Sequence, residues 1–63
     1  MDDTKVLLTV REAANRLSIG RSHAYVMVMK GELPSVKVGR SRRVPVDVLG
    51  EYVQRLKDEQ LDN

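Results

Sequence analysis

The sequence predicts a mainly α-helical fold with one small β-hairpin: three helices and a two-stranded wing. Three observations lead there. Two short helical patterns are separated only by Ser18-Ile19-Gly20. After them comes an alternating stretch, Ser35-Val36-Lys37-Val38, then Gly39-Arg40-Ser41 and a returning Arg42-Arg43-Val44-Pro45. A third helical pattern follows. Two short helices around a brief glycine-containing connector form the helix-turn-helix pattern, and the hairpin after them makes it a winged helix-turn-helix.

The first helix is expected over about Val10–Leu17. Thr9 and Glu12 have the spacing of a capping box. Val10, Ala13, Ala14 and Leu17 recur at helical spacing, and the paired alanines let another helix come close. Leu8, just before the cap, can pack against Ala13 as a hydrophobic staple. In the connector, Ile19 is the one apolar residue and should plug the corner. Gly20 serves as N-cap of a second helix over about Arg21–Lys30, whose inner stripe is Ala24, Met27 and Val28. Lys30-Gly31 is a stop signal, a cation in the last turn with glycine beyond it.

Leu33-Pro34 leads into the hairpin. Val36, Val38 and Val44 are expected to face the core, with Lys37, Arg40 and Arg42 outward and the stem of Arg43 running inward. A lone hairpin is unstable and must lean on the helices. Pro45 suits a helix start and Asp47 the positive end of the helix that follows. That third helix should run from about Val46 to Lys57, with Val48, Leu49, Tyr52, Val53 and Leu56 on its apolar face and Gly50 as a weak point. Residues 1–6 and 58–63 are expected to fray around one domain spanning 1–63.

Size and composition limit what such a chain can do. With 63 residues, burial barely outweighs the entropy of ordering. There are no cysteines and one histidine, so disulfides, thiolate zinc and a histidine metal cluster are excluded. No apolar run approaches a membrane span, and the first residues do not form a signal peptide. The expected compartment is the cytoplasm. No nucleophile–base pair or phosphate-binding glycine loop is present, and there is too little chain to enclose a pocket. Neither catalysis nor a cofactor is expected.

Charge placement is more informative than the net +2. From Arg11 to Arg43 there are eight cations and two acids, a net +6, whereas from Val44 onward there are two cations and five acids. Such a division fits a polyanion-binding face, or cations that simply solvate a small surface. In the first case, the second helix would enter the DNA major groove by its N-terminal residues. Arg21 can fork onto a guanine or hold a phosphate, and Ser22 can donate to either. Tyr25 offers a hydroxyl to phosphate, or covers the core edge. His23, Val26 and Met29 are candidates for base or partner contact. Val26 and Met29 are limited to apolar contacts, such as with a thymine methyl. The wing would supply Lys37, Arg40, Ser41 and Arg42 to a minor groove or its bordering phosphates. Arg40 and Arg42 repel one another on a tight turn unless a polyanion neutralises them. Arg11 and Arg16 could clamp the flanking backbone.

The segments Leu8-Thr9-Val10-Arg11-Glu12-Ala13-Ala14, Tyr25, Lys30-Gly31-Glu32-Leu33-Pro34, Val36-Lys37-Val38-Gly39-Arg40 and Arg43-Val44-Pro45, in that order, resemble the excisionase-type DNA-binding family. Its members are small winged-helix proteins related to the DNA-binding domains of mercury-resistance-type (MerR) regulators. The resemblance covers residues 7–56 or so. It implies a bacterial, phage or integrative-element origin, a place in the bacterial cytoplasm in association with the nucleoid, and a recombination directionality factor. Such a factor binds direct repeats of double-stranded DNA near an attachment site, associates with itself cooperatively there, and bends the DNA for excision by a tyrosine or serine integrase. Other members are transcriptional regulators. The family's recognition-helix roles fall on Arg21, Ser22 and Tyr25, and its wing roles on Lys37, Arg40 and Arg42. The sequence departs from the pattern at Gly20, Val26, Met29 and Gly50, and the family's base contacts are not carried over to Val26 and Met29.

Three functions follow. An excisionase leads, a small transcriptional regulator with the same DNA-binding mode comes second, and a protein-interaction module built on Val26 and Met29 comes third. With so few residues after the third helix, neither the dimerisation helix nor the ligand domain of effector-controlled relatives is expected. A free monomer that assembles on DNA is expected, with no membrane partner and no small-molecule effector.

Overall fold

The structure, a computed structural model, describes residues 6–61. The elements run β1 (Leu7–Thr9), α1 (Val10–Leu17), α2 (Arg21–Lys30), β2 (Val36–Val38), β3 (Ser41–Pro45) and α3 (Val46–Gln60). This is the expected winged helix-turn-helix, with one strand added. Leu7–Thr9 pairs antiparallel with β3, Leu8 opposite Val44, and gives a three-stranded sheet of order β1-β3-β2. The added strand seats the wing on the core through Leu8 and Val44, both buried.

Local chemistry sets the ends of α1. The Thr9 hydroxyl accepts the Glu12 N–H at 3.0 Å, and the Glu12 carboxylate accepts the Thr9 N–H at 2.9 Å. Two otherwise orphaned donors are thereby satisfied in a capping box. At the other end Ser18 takes a left-handed conformation, φ 59° and ψ 40°. Its N–H donates to the Asn15 carbonyl and that of Ile19 to the Ala14 carbonyl, the bond pair of a Schellman motif. The same motif ends α2, where Gly31 has φ 80° and the N–H groups of Gly31 and Glu32 donate to Val28 and Met27.

The core consists of Leu8, Val10, Ala13, Ala14, Ala24, Met27, Leu33, Val44 and Leu49. Ala13, Ala14 and Ala24 are all buried where α1 packs on α2. Small side chains there let the two helix axes approach. Ile19 packs against this core from the connector. Leu33 is fully buried just beyond α2, and its N–H donates to the Met27 carbonyl at 3.3 Å.

The hairpin corrects the expected facing of its valines. Val36 and Val38 are 42% and 52% exposed, whereas Val44 is buried. The loop has two residues, Gly39 and Arg40, and Ser41 already belongs to β3. Gly39 has φ 61° and Arg40 no positive φ, the pattern of a type II′ turn with glycine first. The resulting register sets Val36 opposite Arg43, Lys37 opposite Arg42 and Val38 opposite Ser41. Directly paired residues share a face, and residues two apart on a strand do too. Val36 and Val38 therefore lie with Arg43 on the face away from Val44, and Lys37 and Arg42, expected on the outward face, lie on the face of Val44, where they are exposed because they sit beyond the core. The three-residue Gly39-Arg40-Ser41 turn would have paired Val36 with Val44. A loop shorter by one residue moves every side chain of β2 to the other face. Arg43 is half-buried on the outer face, so its stem does not run inward.

The helix α3 passes through Gly50 and extends to Gln60, beyond the expected end at Lys57. Asp58–Gln60 are helical where fraying was expected. Val6 is also tied down, its carbonyl accepting the Val46 N–H at 2.9 Å. The remaining residues expected to fray, 1–5 and 62–63, lie outside the described residues. Leu49 is the buried anchor of α3, with Val46, Val48 and Tyr52 packed beside it, while Val53 is exposed at the margin. No helix among the described residues is long and apolar enough to cross a membrane.

Candidate nucleic-acid interface

The inner stripe of α2 is Ala24 and Met27, with Val28 half-buried. At about 100° per residue, the rest of the surface is covered by two neighbouring rows, Arg21–Tyr25–Met29 and Ser22–Val26–Lys30, with Ser22, Val26 and Met29 opposite the inner stripe and Arg21 and Lys30 nearer its two margins. All six residues are exposed. His23 is exposed as well, on the flank beyond Ser22. The N-cap Gly20 supplies no side-chain hydrogen bond. The first N–H groups of α2 are consequently open to solvent or to an anion, at the positive end of the helix dipole. No acidic residue occurs in α2.

The second cationic group sits on the hairpin. Because β1 pairs only with residues 43–45 of β3, the segment from Lys37 to Arg42 extends past the three-stranded part of the sheet as a two-stranded ribbon. Lys37 and Arg40 are exposed, and neither has a side-chain hydrogen bond or ion pair among the described residues. Arg42 is exposed and steered by a 3.3 Å bond from Nη1 to Ser35 Oγ. Arg43 Nη1 donates to the Arg42 carbonyl at 3.2 Å and stays with the hairpin backbone. Ser41 is half-buried at the start of β3.

The helix α1 packs against α2 and against the sheet, so it links the two cationic elements. Arg11 and Arg16 are both exposed on α1. Five residues of helix separate them by roughly 140°. They occupy opposite flanks and do not make one cluster.

Sequence reasoning did not single out Arg55. Its Nη2 donates to the Glu32 carbonyl at 3.2 Å, and its guanidinium lies 5.7 Å from the centroid of the Tyr52 ring. The Tyr52 hydroxyl reaches Met27 Sδ at 3.9 Å. These contacts tie α3 to the inner side of α2 and to the turn after it. A cation three residues after an aromatic on one helix was the available signal. It carried no information about Glu32, which is distant in sequence.

Comparison with known proteins gives a consistent result. A family model described as a helix-turn-helix domain matches residues 7–57. The chain is 48% identical over 52 residues to a protein of Saccharopolyspora erythraea named probable excisionase, covering 82% of this chain and 53% of the relative. It is 41% identical over 51 residues to a protein of Streptomyces ambofaciens named excisionase, covering 81% of this chain and 82% of the relative. The match thus spans about half the length of the first relative and most of the second. No solved structure matches.

Proposed function

The chain belongs to the excisionase-type helix-turn-helix family, and on that premise we propose that it is a non-catalytic excisionase that binds double-stranded DNA. In this reading α2 enters the major groove, with Arg21, Ser22 and Tyr25 leading. Lys37, Arg40, Ser41 and Arg42 hold the neighbouring minor groove or its phosphates. Arg11 and Arg16, on opposite flanks of α1, hold backbone on two sides. The sites are direct repeats beside an attachment site. Copies of the chain assemble there cooperatively and bend the DNA for a tyrosine or serine integrase.

The observation that carries the reading is the hairpin tip. Lys37, Arg40 and Arg42 are exposed together at the end of one hairpin, on its turn and the two strands beside it, and no carboxylate among the described residues compensates Lys37 or Arg40. Concentrated like charge on a short turn is destabilising by itself and favourable beside a polyanion.

A gel-shift titration at two salt concentrations tests this reading. The DNA is the integrase attachment site nearest the gene, compared with random duplex. Tight, salt-sensitive, laddered shifts on the repeats are expected. Preference for a promoter without repeats would replace excision by transcriptional control. Affinity no better for either than for random DNA would overturn sequence-specific binding.

A further inference from the structure

We infer that Val26 and Met29 read thymine methyl groups, making thymine the base that α2 selects at the centre of its contact; the inference rests on the DNA-binding reading above. The outward surface of α2 is unusual for a polar interface. Met29 is 84% exposed and Val26 48% exposed, and neither belongs to the core. They sit at adjacent places in the two outward rows, beyond Arg21 and Ser22 and before Lys30. Past the first turn, Tyr25 brings the one polar group to this surface ahead of Lys30. The middle of the helix therefore has little with which to hydrogen-bond a base edge.

In the major groove each base pair displays hydrogen-bonding groups, and thymine alone of the four bases adds a methyl. An apolar side chain against a guanine or cytosine edge strips water from donors and acceptors and returns no hydrogen bond. Against a thymine it buries a methyl group. Selection thus works both by favouring thymine and by penalising the other bases. The charge around the pair favours nucleic acid over an apolar protein partner. Arg21 and Lys30 bracket the pair in the same rows, α2 has no acid, and the hairpin tip adds Lys37, Arg40 and Arg42.

The test starts from a random duplex pool, from which the intact chain enriches its preferred sequences. The enriched duplex is then remade with uracil in place of thymine, one position at a time, which deletes only the methyl. At one or two positions uracil should weaken binding about fourfold each, the change expected for one buried methyl. A Val26→Ala, Met29→Ala double variant should lose most of that thymine–uracil difference while keeping its circular dichroism spectrum, because both side chains are exposed. Equal binding to thymine and uracil at every position, or an enriched sequence without thymine, would overturn the inference and leave DNA binding intact. Absence of DNA binding altogether would overturn both.

Discussion

The two Schellman motifs allow a stability prediction with an internal control of opposite sign. Both α1 and α2 end in a left-handed residue with the same pair of backbone bonds, but one position is Ser18 and the other Gly31. For an L residue this conformation costs roughly 1–2 kcal/mol. Replacing Ser18 by glycine removes that strain, and the greater freedom of glycine in the unfolded chain gives back roughly 0.5–1 kcal/mol. The Ser18 hydroxyl makes no hydrogen bond among the described residues, so nothing else is lost. Ser18→Gly should therefore stabilise by roughly 0.5–1 kcal/mol, or raise Tm by roughly 2–8 °C for a domain of this size. Gly31→Ala reverses both terms. An added Cβ there meets nothing within 4 Å, so no clash adds to these two terms and Tm should fall by a similar amount. Reversible thermal unfolding followed by far-ultraviolet circular dichroism reads both shifts. A lower Tm for Ser18→Gly, or shifts of the same sign, would refute the reasoning.

Other perturbations test the cap and the core. Thr9→Ala leaves the Glu12 N–H without its acceptor at the start of an eight-residue helix. It should cost about 1 kcal/mol, seen as a Tm drop of roughly 4–8 °C. Leu33→Ala empties a fully buried site. Its cost of roughly 2–5 kcal/mol rivals the ~3–5 kcal/mol that a core of this size supplies, so the cooperative thermal transition should be lost.

Much of this fold was readable because its signals are local. The capping box at Thr9 and Glu12, the connector at Ser18-Ile19-Gly20 and the stop at Gly31 each lie within a few residues, and α1 and α2 fall on their expected bounds. The strand β1 escaped notice because three residues are too few to show alternation. Leu7–Thr9 is extended by virtue of pairing with residues 43–45, far away in sequence. The facing of Val36 and Val38 depended on whether Ser41 closes the turn or opens the strand. Composition does not decide that point; the register does. Leu33 read as a lead-in to the hairpin and proves to be core. At the candidate interface, Arg21, Ser22, Tyr25, Lys37, Arg40 and Arg42 follow from helical spacing and turn chemistry, and all are exposed. The separation of Arg11 from Arg16 was also implicit in helical geometry. The tie from Arg55 to the Glu32 carbonyl is tertiary and had no local sign.

The central claim is that the hairpin tip holds a polyanion. It is tested most directly by the salt dependence of DNA affinity for the native chain and for an Arg40→Ala, Arg42→Ala double variant. Each phosphate contact contributes about 0.9 to the slope of log affinity against log salt. If both arginines hold phosphates, the variant should bind more weakly at low salt, and its slope should be shallower by roughly 1.8. Unchanged affinity and an unchanged slope would contradict the account and remove the wing from the interface.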